Sequence, residues 1–81
     1  MMQQYKGWIK EFFSRNRDLP ENVEEINYFE AGLIDSFGVI ELVENIETEF
    51  GIEFTQADFQ DRRFSSIAGL AQLITEKKGL Q

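Results

Sequence analysis

Apolar residues recur along the chain in blocks with helical spacing, separated by stretches without a regular pattern. The first block has the i, i+3, i+4, i+7, i+8 spacing of one helix face and predicts a helix over about residues 2–15. An aromatic stripe of this kind is typical of a buried core face, so we assign it no chemistry. Its members are Tyr5, Trp8, Ile9, Phe12 and Phe13.

The second block predicts a helix over residues 36–50. On a helical wheel, the apolar residues that fall in one arc are Val39, Leu42, Val43, Ile46 and Phe50. Glu41 and Glu44 lie on the opposite face with Phe37, and Ile40 lies at the border. Phe37 either folds back onto the preceding loop as a staple or forms an apolar contact spot ringed by charge.

A long connection, residues 15–36, joins these two helices. Pro20 stops the helical pattern, and the apolar residues beyond it fall at irregular intervals. We expect them to pin the connection to the helices, with one short turn near residues 21–26. Gly32 supplies the conformational freedom for a sharp approach to Ser36. A connection of this length is unusual in a compact domain and is often functional.

The last third of the chain predicts a short helix and a long one. Gly51 ends the second helix, and Thr55 to Asp58 form a capping box that starts a short helix reaching about Asp61. We expect Phe59 to turn inward.

Residues 62–64 are predicted to be a link, and Ser65 or Ser66 caps the final helix. Its apolar stripe comprises Ile67, Leu70, Ala71 and Ile74. The fold class is therefore all-α: a small bundle of three main helices plus one short helix, with a long loop between the first and second helices.

The composition fits one domain over residues 1–81. The chain contains no Cys and no His, which excludes disulfides, thiolate metal sites and Cys–His or Ser–His–Asp catalysis. No apolar run is long enough to span a bilayer, and the N-terminus lacks the features of a signal peptide. We expect a cytoplasmic monomer that binds no membrane.

The net charge of −7 is concentrated in one region. Residues 35–61 contain eight of the fifteen carboxylates and no Lys or Arg. Such a region disfavours nucleic acid and favours basic protein partners. The alternative is a solvated helix face kept acidic for solubility.

Asp35-Ser36 stands where the second helix begins. We expect the Ser36 oxygen to accept a hydrogen bond from a first-turn amide, at the positive end of the helix dipole, where an attached phosphate would be stabilised. The sequence places no base beside Ser36 to activate its hydroxyl. The carboxylates of the second helix point to solvent, which argues against an acid–base enzyme. Ser36 is therefore interpreted as a site acted upon.

The run Gly32-Leu33-Ile34-Asp35-Ser36-Phe37, continued by residues 39–43 and 46–52, resembles the acyl carrier protein family. Weaker similarity extends through residues 64–67 and the last helix, so it covers nearly the whole chain. The resemblance implies that Ser36 receives 4′-phosphopantetheine from coenzyme A through a phosphopantetheinyl transferase. Asp35 would assist the metal-dependent reaction of that transferase. The thiol of the arm would then hold an acyl or aminoacyl group as a thioester.

The resemblance also implies a docking surface for the basic patches of loading and transferring enzymes, formed by Phe37, Ile40, Glu41, Glu44 and Glu47. Phe37 and Gly38 depart from the residues common in fatty-acid carriers, which favours a stand-alone carrier of a specialised pathway. The cargo is left open among a specialised fatty acyl group, a polyketide-like unit and an amino acid, as in D-alanyl and peptidyl carriers. The competing hypothesis is an unmodified acidic adaptor that keeps the carrier fold.

Overall fold

The computed structural model describes residues 2–15 and 18–79. Within these residues it is helical and has no strand, which confirms the predicted small bundle. Its elements are α1 (Met2–Ser14), α2 (Ser36–Phe50), α3 (Gln56–Gln60), a 3₁₀ helix (Arg62–Ser65) and α4 (Ile67–Gly79). Residues 16–17 of the predicted connection, and residues 1, 80 and 81 of the predicted domain, lie outside this description. No described helix has the length and apolar character needed to cross a membrane.

The core forms where α4 packs against α1 and the 3₁₀ helix. All four residues of the predicted α4 stripe are buried, as are Leu42 and Ile46 of α2. The rest of the α2 arc is half-buried and packs against this core. The aromatic stripe of α1 is also core, although Trp8 and Phe12 lie at its edge.

Aromatic contacts fix the relative direction of α1 and α2. The rings of Tyr5 and Trp8 meet Phe50 edge-on, with centroid distances of 5.0 and 5.5 Å. Each such pair adds about 0.5–1.5 kcal/mol beyond its area burial. Because Phe50 ends α2 while Tyr5 lies near the start of α1, the two helices run in opposite directions. The start of α2 therefore lies near the end of α1.

Tyr28 ties the long connection to the 3₁₀ helix. Its side chain is fully buried, its backbone N–H donates to the Ser65 carbonyl at 3.1 Å, and its hydroxyl donates to the Phe64 carbonyl. Burial raises the pKa of the Tyr28 hydroxyl, so this donor stays protonated. The predicted turn near residues 21–26 is present, and Val23 within it is buried.

The link predicted at residues 62–64 is wrong, because these residues begin the 3₁₀ helix. Asp61 caps it by accepting a hydrogen bond from the Arg63 N–H at 2.9 Å, which gives the short turn a defined start.

The inward position predicted for Phe59 is also wrong, since 49% of this side chain is exposed. The five residues of α3 bury no side chain fully. At the rim of the core, the Phe59 ring is tilted against the Phe54 ring and meets the Phe64 ring edge-on. The other predicted boundaries are confirmed: Gly51 ends α2 with φ 66°, Thr55 and Asp58 form the capping box, and Ser66 accepts the Gly69 N–H.

The close approach of α4 to the 3₁₀ helix depends on Gly69. A Cβ atom at position 69 would lie 2.6 Å from the Arg63 Cα and would also meet the Arg63 carbonyl oxygen. Gly69→Ala should therefore lower the free energy of unfolding by about 1–3 kcal/mol or more, measured by urea denaturation.

Gly7→Ala is the matched control, since nothing lies within 4 Å of a Cβ at this α1 position. It should raise the free energy of unfolding by about 0.5–1 kcal/mol. Equal stability of the two variants would contradict the tight packing at Gly69.

Candidate functional site

Asp35, and not Ser36, caps α2. The Asp35 backbone is extended, with φ −111° and ψ −178°, and its Oδ1 accepts a hydrogen bond from the Gly38 N–H at 2.7 Å. The expectation that the Ser36 oxygen caps the helix is wrong, because the carboxylate one residue earlier already reaches the third helical amide. Ser36 is the first residue of the helix and is exposed. Its hydroxyl makes no hydrogen bond within the part of the chain that the structure describes.

Gly38 allows the preceding loop to close over the start of the helix. A Cβ at this position would lie 2.9 Å from Ile34 Cγ1 and 3.2 Å from Asp35 Oδ1. A side chain there would push against the capping carboxylate. Gly32, with φ 73°, provides the left-handed turn expected before Ser36. Leu33 then donates its N–H to the Tyr28 carbonyl at 3.0 Å, which fixes the loop to the core.

Four of the five predicted docking residues are exposed on α2. Phe37 is 78% exposed and Ile40 is 58% exposed, and Glu41 and Glu44 are exposed as well. The alternative in which Phe37 folds back onto the loop is therefore wrong.

Glu47 has a role within the fold. It is half-buried, and its carboxylate accepts a hydrogen bond from the Phe54 N–H at 2.9 Å. The helical wheel could not show this, because the chain reversal after Gly51 brings residue 54 back to α2.

An apolar groove of about 710 Å³ lies between α2 and the segment formed by α3 and the 3₁₀ helix. This volume is within the usual range for pockets that hold small ligands. Ser36 lies on α2, one helical turn before the apolar residues of this helix that line the groove. Those residues are at positions i+3, i+4 and i+7 from Ser36, so they lie on the same face of the helix as the serine. They are Val39, Ile40 and Val43, which form the α2 wall of the groove.

The opposite wall of the groove consists of Phe59 and Phe64, with Phe29 from the long connection also lining the groove. Sequence reasoning missed the groove because it placed Phe59 in the core. Phe54 and Phe64 are buried, so the phenylalanine left at the rim is Phe59, which lies in a five-residue helix that buries no side chain fully. The available signal was that a helix this short offers little surface under which to bury a phenylalanine.

A second, more polar cleft of about 490 Å³ lies on the other face of α2. It is lined by Phe12, Phe13 and Arg15 from the end of α1 and by Asp35, Gly38 and Glu41 from the start of α2. The two cavities therefore flank the helix that begins at Ser36.

Comparison with known proteins assigns the chain to a family. A family model described as the phosphopantetheine attachment site matches residues 8–74, more than half of the chain. The D-alanyl carrier protein of Bacillus velezensis is 37% identical over 54 residues, which cover 67% of this chain and 69% of that protein. The D-alanyl carrier protein of Bacillus pumilus is 33% identical over 61 residues, which cover 75% of this chain and 78% of that protein.

The chain belongs to the family of phosphopantetheine-bearing carrier proteins. It is a non-catalytic carrier with covalently attached 4′-phosphopantetheine as its cofactor, added by a phosphopantetheinyl transferase. The residues near Ser36 fit such a group. The hydroxyl is exposed and without a described hydrogen bond, so a phosphodiester on it displaces no core contact, and the positive end of the α2 dipole favours an anion there.

The capping geometry generates a stability prediction. Asp35→Ala should lower the free energy of unfolding by about 0.5–2 kcal/mol in urea denaturation, because the Gly38 amide loses its acceptor. Asp35→Asn should remain close to the unaltered protein, since Asn caps as well as Asp. Ser36→Ala should also leave stability nearly unchanged. An equal loss in Asp35→Asn and Asp35→Ala would mean that the charge, and not the cap, stabilises the helix.

Proposed function

We propose that this chain carries its phosphopantetheine on Ser36 and uses it to tether an acyl or aminoacyl group for partner enzymes. The observation that carries the proposal is the division of roles at the start of α2, where Asp35 caps the helix and Ser36 is left exposed. We assign this role to the whole chain, residues 1–81, as a single cytoplasmic domain that acts as a monomer.

The attachment reaction is a phosphoryl transfer to the Ser36 hydroxyl. A bond forms between Ser36 Oγ and the phosphorus next to pantetheine in coenzyme A, while the pyrophosphate bond breaks and adenosine bisphosphate leaves. The serine proton goes to a base of the transferase. We propose that Asp35 assists the metal-dependent step, since its carboxylate is exposed and only Oδ1 accepts a hydrogen bond from the described residues.

The bound arm supplies a terminal thiol that carries the cargo as a thioester, which suits a chain without cysteine. The names of the two relatives favour an aminoacyl cargo such as D-alanine over a fatty acyl or polyketide-like cargo. The apolar groove beside Ser36 supports an acyl chain as the second candidate, because Val39, Ile40 and Val43 would contact aliphatic carbons.

We further propose that Phe37, Ile40, Glu41 and Glu44 form the surface that meets partner enzymes. An exposed aromatic ring and an exposed Ile, ringed by carboxylates, suit a partner patch that is apolar at its centre and basic at its rim. Glu47 would act on this surface indirectly, because its carboxylate is held by the Phe54 N–H.

The attachment site is tested by mass spectrometry of the intact protein. Incubation with coenzyme A and a broad-specificity phosphopantetheinyl transferase should add the mass of one arm to the unaltered protein and none to Ser36→Ala. Addition that persists in Ser36→Ala would move the attachment to another residue. An unmodified mass in protein purified from its native cells would favour the adaptor hypothesis, whereas a larger mass would report the arm and its cargo together.

The docking surface predicts a salt-dependent effect of charge reversal. Glu44→Lys should lower the kcat/KM of the transferase for this carrier at low ionic strength, because steering of a basic partner is lost, and the deficit should shrink as salt is added. Glu53→Lys is the matched control, since Glu53 is exposed but lies beyond the end of α2. A deficit that is unchanged at high salt, or that is equal in both variants, would exclude electrostatic steering by this surface.

A further inference from the structure

Among the described residues that line the apolar groove, one basic side chain has no ion pair. Arg62 is exposed and lines the groove, and its guanidinium forms no ion pair with any of the described carboxylates. Most other described basic side chains are engaged: Lys6 and Lys10 with Glu24, Arg63 with Asp61 and Glu76, Lys77 with Asp58, and Lys78 with the Phe50 carbonyl. Arg15 stacks over the Phe12 ring at 5.0 Å and belongs to the cleft on the other face of α2.

The neighbouring carboxylate of Asp61 is already occupied. It accepts hydrogen bonds from the Arg63 side chain and from the Arg63 backbone N–H, and these bonds hold its pKa below the usual value. Arg63 also pairs with Glu76 at 2.6 Å, which ties the 3₁₀ helix to α4. Glu44 also lines the groove, but Arg62 forms no ion pair with it. With Asp61 engaged by Arg63, Arg62 therefore remains available to an anion that enters the groove from outside the chain.

The position of Ser36 indicates which anion this is. A group attached to Ser36 Oγ starts on the helical stripe of Val39 and Ile40, which forms the α2 wall of the groove, and Arg62 lines the same groove. Phosphopantetheine contains a single negative charge, and that charge is on the phosphodiester bonded to the serine. The arm begins within residues 35–61, which contain eight carboxylates and no Lys or Arg. These carboxylates repel the phosphodiester, and a cation on the 3₁₀ helix, across the groove from α2, would offset that repulsion.

We propose that Arg62 binds the phosphodiester of the phosphopantetheine arm and directs the arm along the groove. A guanidinium suits this role because it meets two phosphate oxygens with a planar pair of N–H donors, which a lysine cannot do. The contact is partly exposed, so it biases the arm toward the groove without locking it there. The proposal rests on attachment at Ser36, and its test must separate the two.

The test uses the modified protein and two arginine variants. After conversion with coenzyme A and a transferase, intact mass first establishes that Arg62→Gln and Arg15→Gln each carry one arm that is absent from Ser36→Ala. In the unaltered protein, the side-chain Nε–H resonance of Arg62 should shift between the unmodified and modified forms by more than that of Arg15, which lines the cleft beside Asp35. The ³¹P resonance of the phosphodiester should move further in Arg62→Gln than in Arg15→Gln.

The backbone amides of Val39, Ile40 and Val43 give the size of the effect. Their shift changes on modification report the fraction of arms in the groove, and Arg62→Gln should lower the docked-to-free ratio about two- to fivefold, the range of an exposed ion pair. Arg62→Lys should give an intermediate ratio, because it keeps the charge but loses the paired donors.

Three outcomes would overturn the role of Arg62: an unshifted Arg62 resonance in modified protein, equal ³¹P changes in both arginine variants, or groove amides that respond equally in Arg62→Gln and unaltered protein. Failure of the unaltered protein to gain an arm at Ser36 would instead overturn the proposed attachment site. If Arg62→Gln alone resists modification, the Arg62 resonance in the unaltered protein and the Arg62→Lys variant decide the question.

Discussion

The buried Tyr28 holds together the two segments on which the candidate site depends. Its hydroxyl and its backbone N–H donate to consecutive carbonyls of the 3₁₀ helix, those of Phe64 and Ser65, and its own carbonyl accepts the Leu33 N–H. The loop that delivers Asp35 and the segment that forms the far wall of the groove are thus fixed to one residue. Because a buried carbonyl without a donor is costly, these bonds define where the connection lies on the core.

The start of α2 resolves a conflict between two uses of a helix N-terminus. A serine that caps a helix spends its oxygen on a backbone amide, and a serine that carries a phosphodiester needs that oxygen free. With the proposed attachment at Ser36 the two roles are separate, because the cap lies one residue earlier, on Asp35, and Gly38 lets the carboxylate and Ile34 approach closely. Ser36 then lies beside the first-turn amides without being held by them.

The long helices and their ends were predictable because their signals are local. Apolar periodicity defined α2 as residues 36–50, Gly51 ended it, and the capping box started α3. The misplaced features depend on contacts between distant residues. Asp35 and Ser36 are equally good capping residues, Phe59 lies at the rim because α3 is too short to reach the core, and Glu47 turns to Phe54 only once the chain has reversed. The groove is lined by residues of the long connection, α2, α3 and the 3₁₀ helix, so it could not be read from any single stretch.

Under the proposed function, charge lets α2 serve both attachment and docking. In the proposed docking, carboxylates on the exposed face of α2 would attract basic partners over a distance of about a Debye length, roughly 8–10 Å, and so raise the rate of encounter more than the lifetime of the complex. A carrier that must leave each enzyme after delivery benefits from this balance. On the proposed attachment at Ser36, the same negative charge would repel the phosphodiester of the arm, and Arg62, which has no ion pair with the described carboxylates, would be the complementary element in the groove. Since Arg63 neutralises Asp61, the chain leaves Arg62 at the edge of the groove where that phosphodiester is expected.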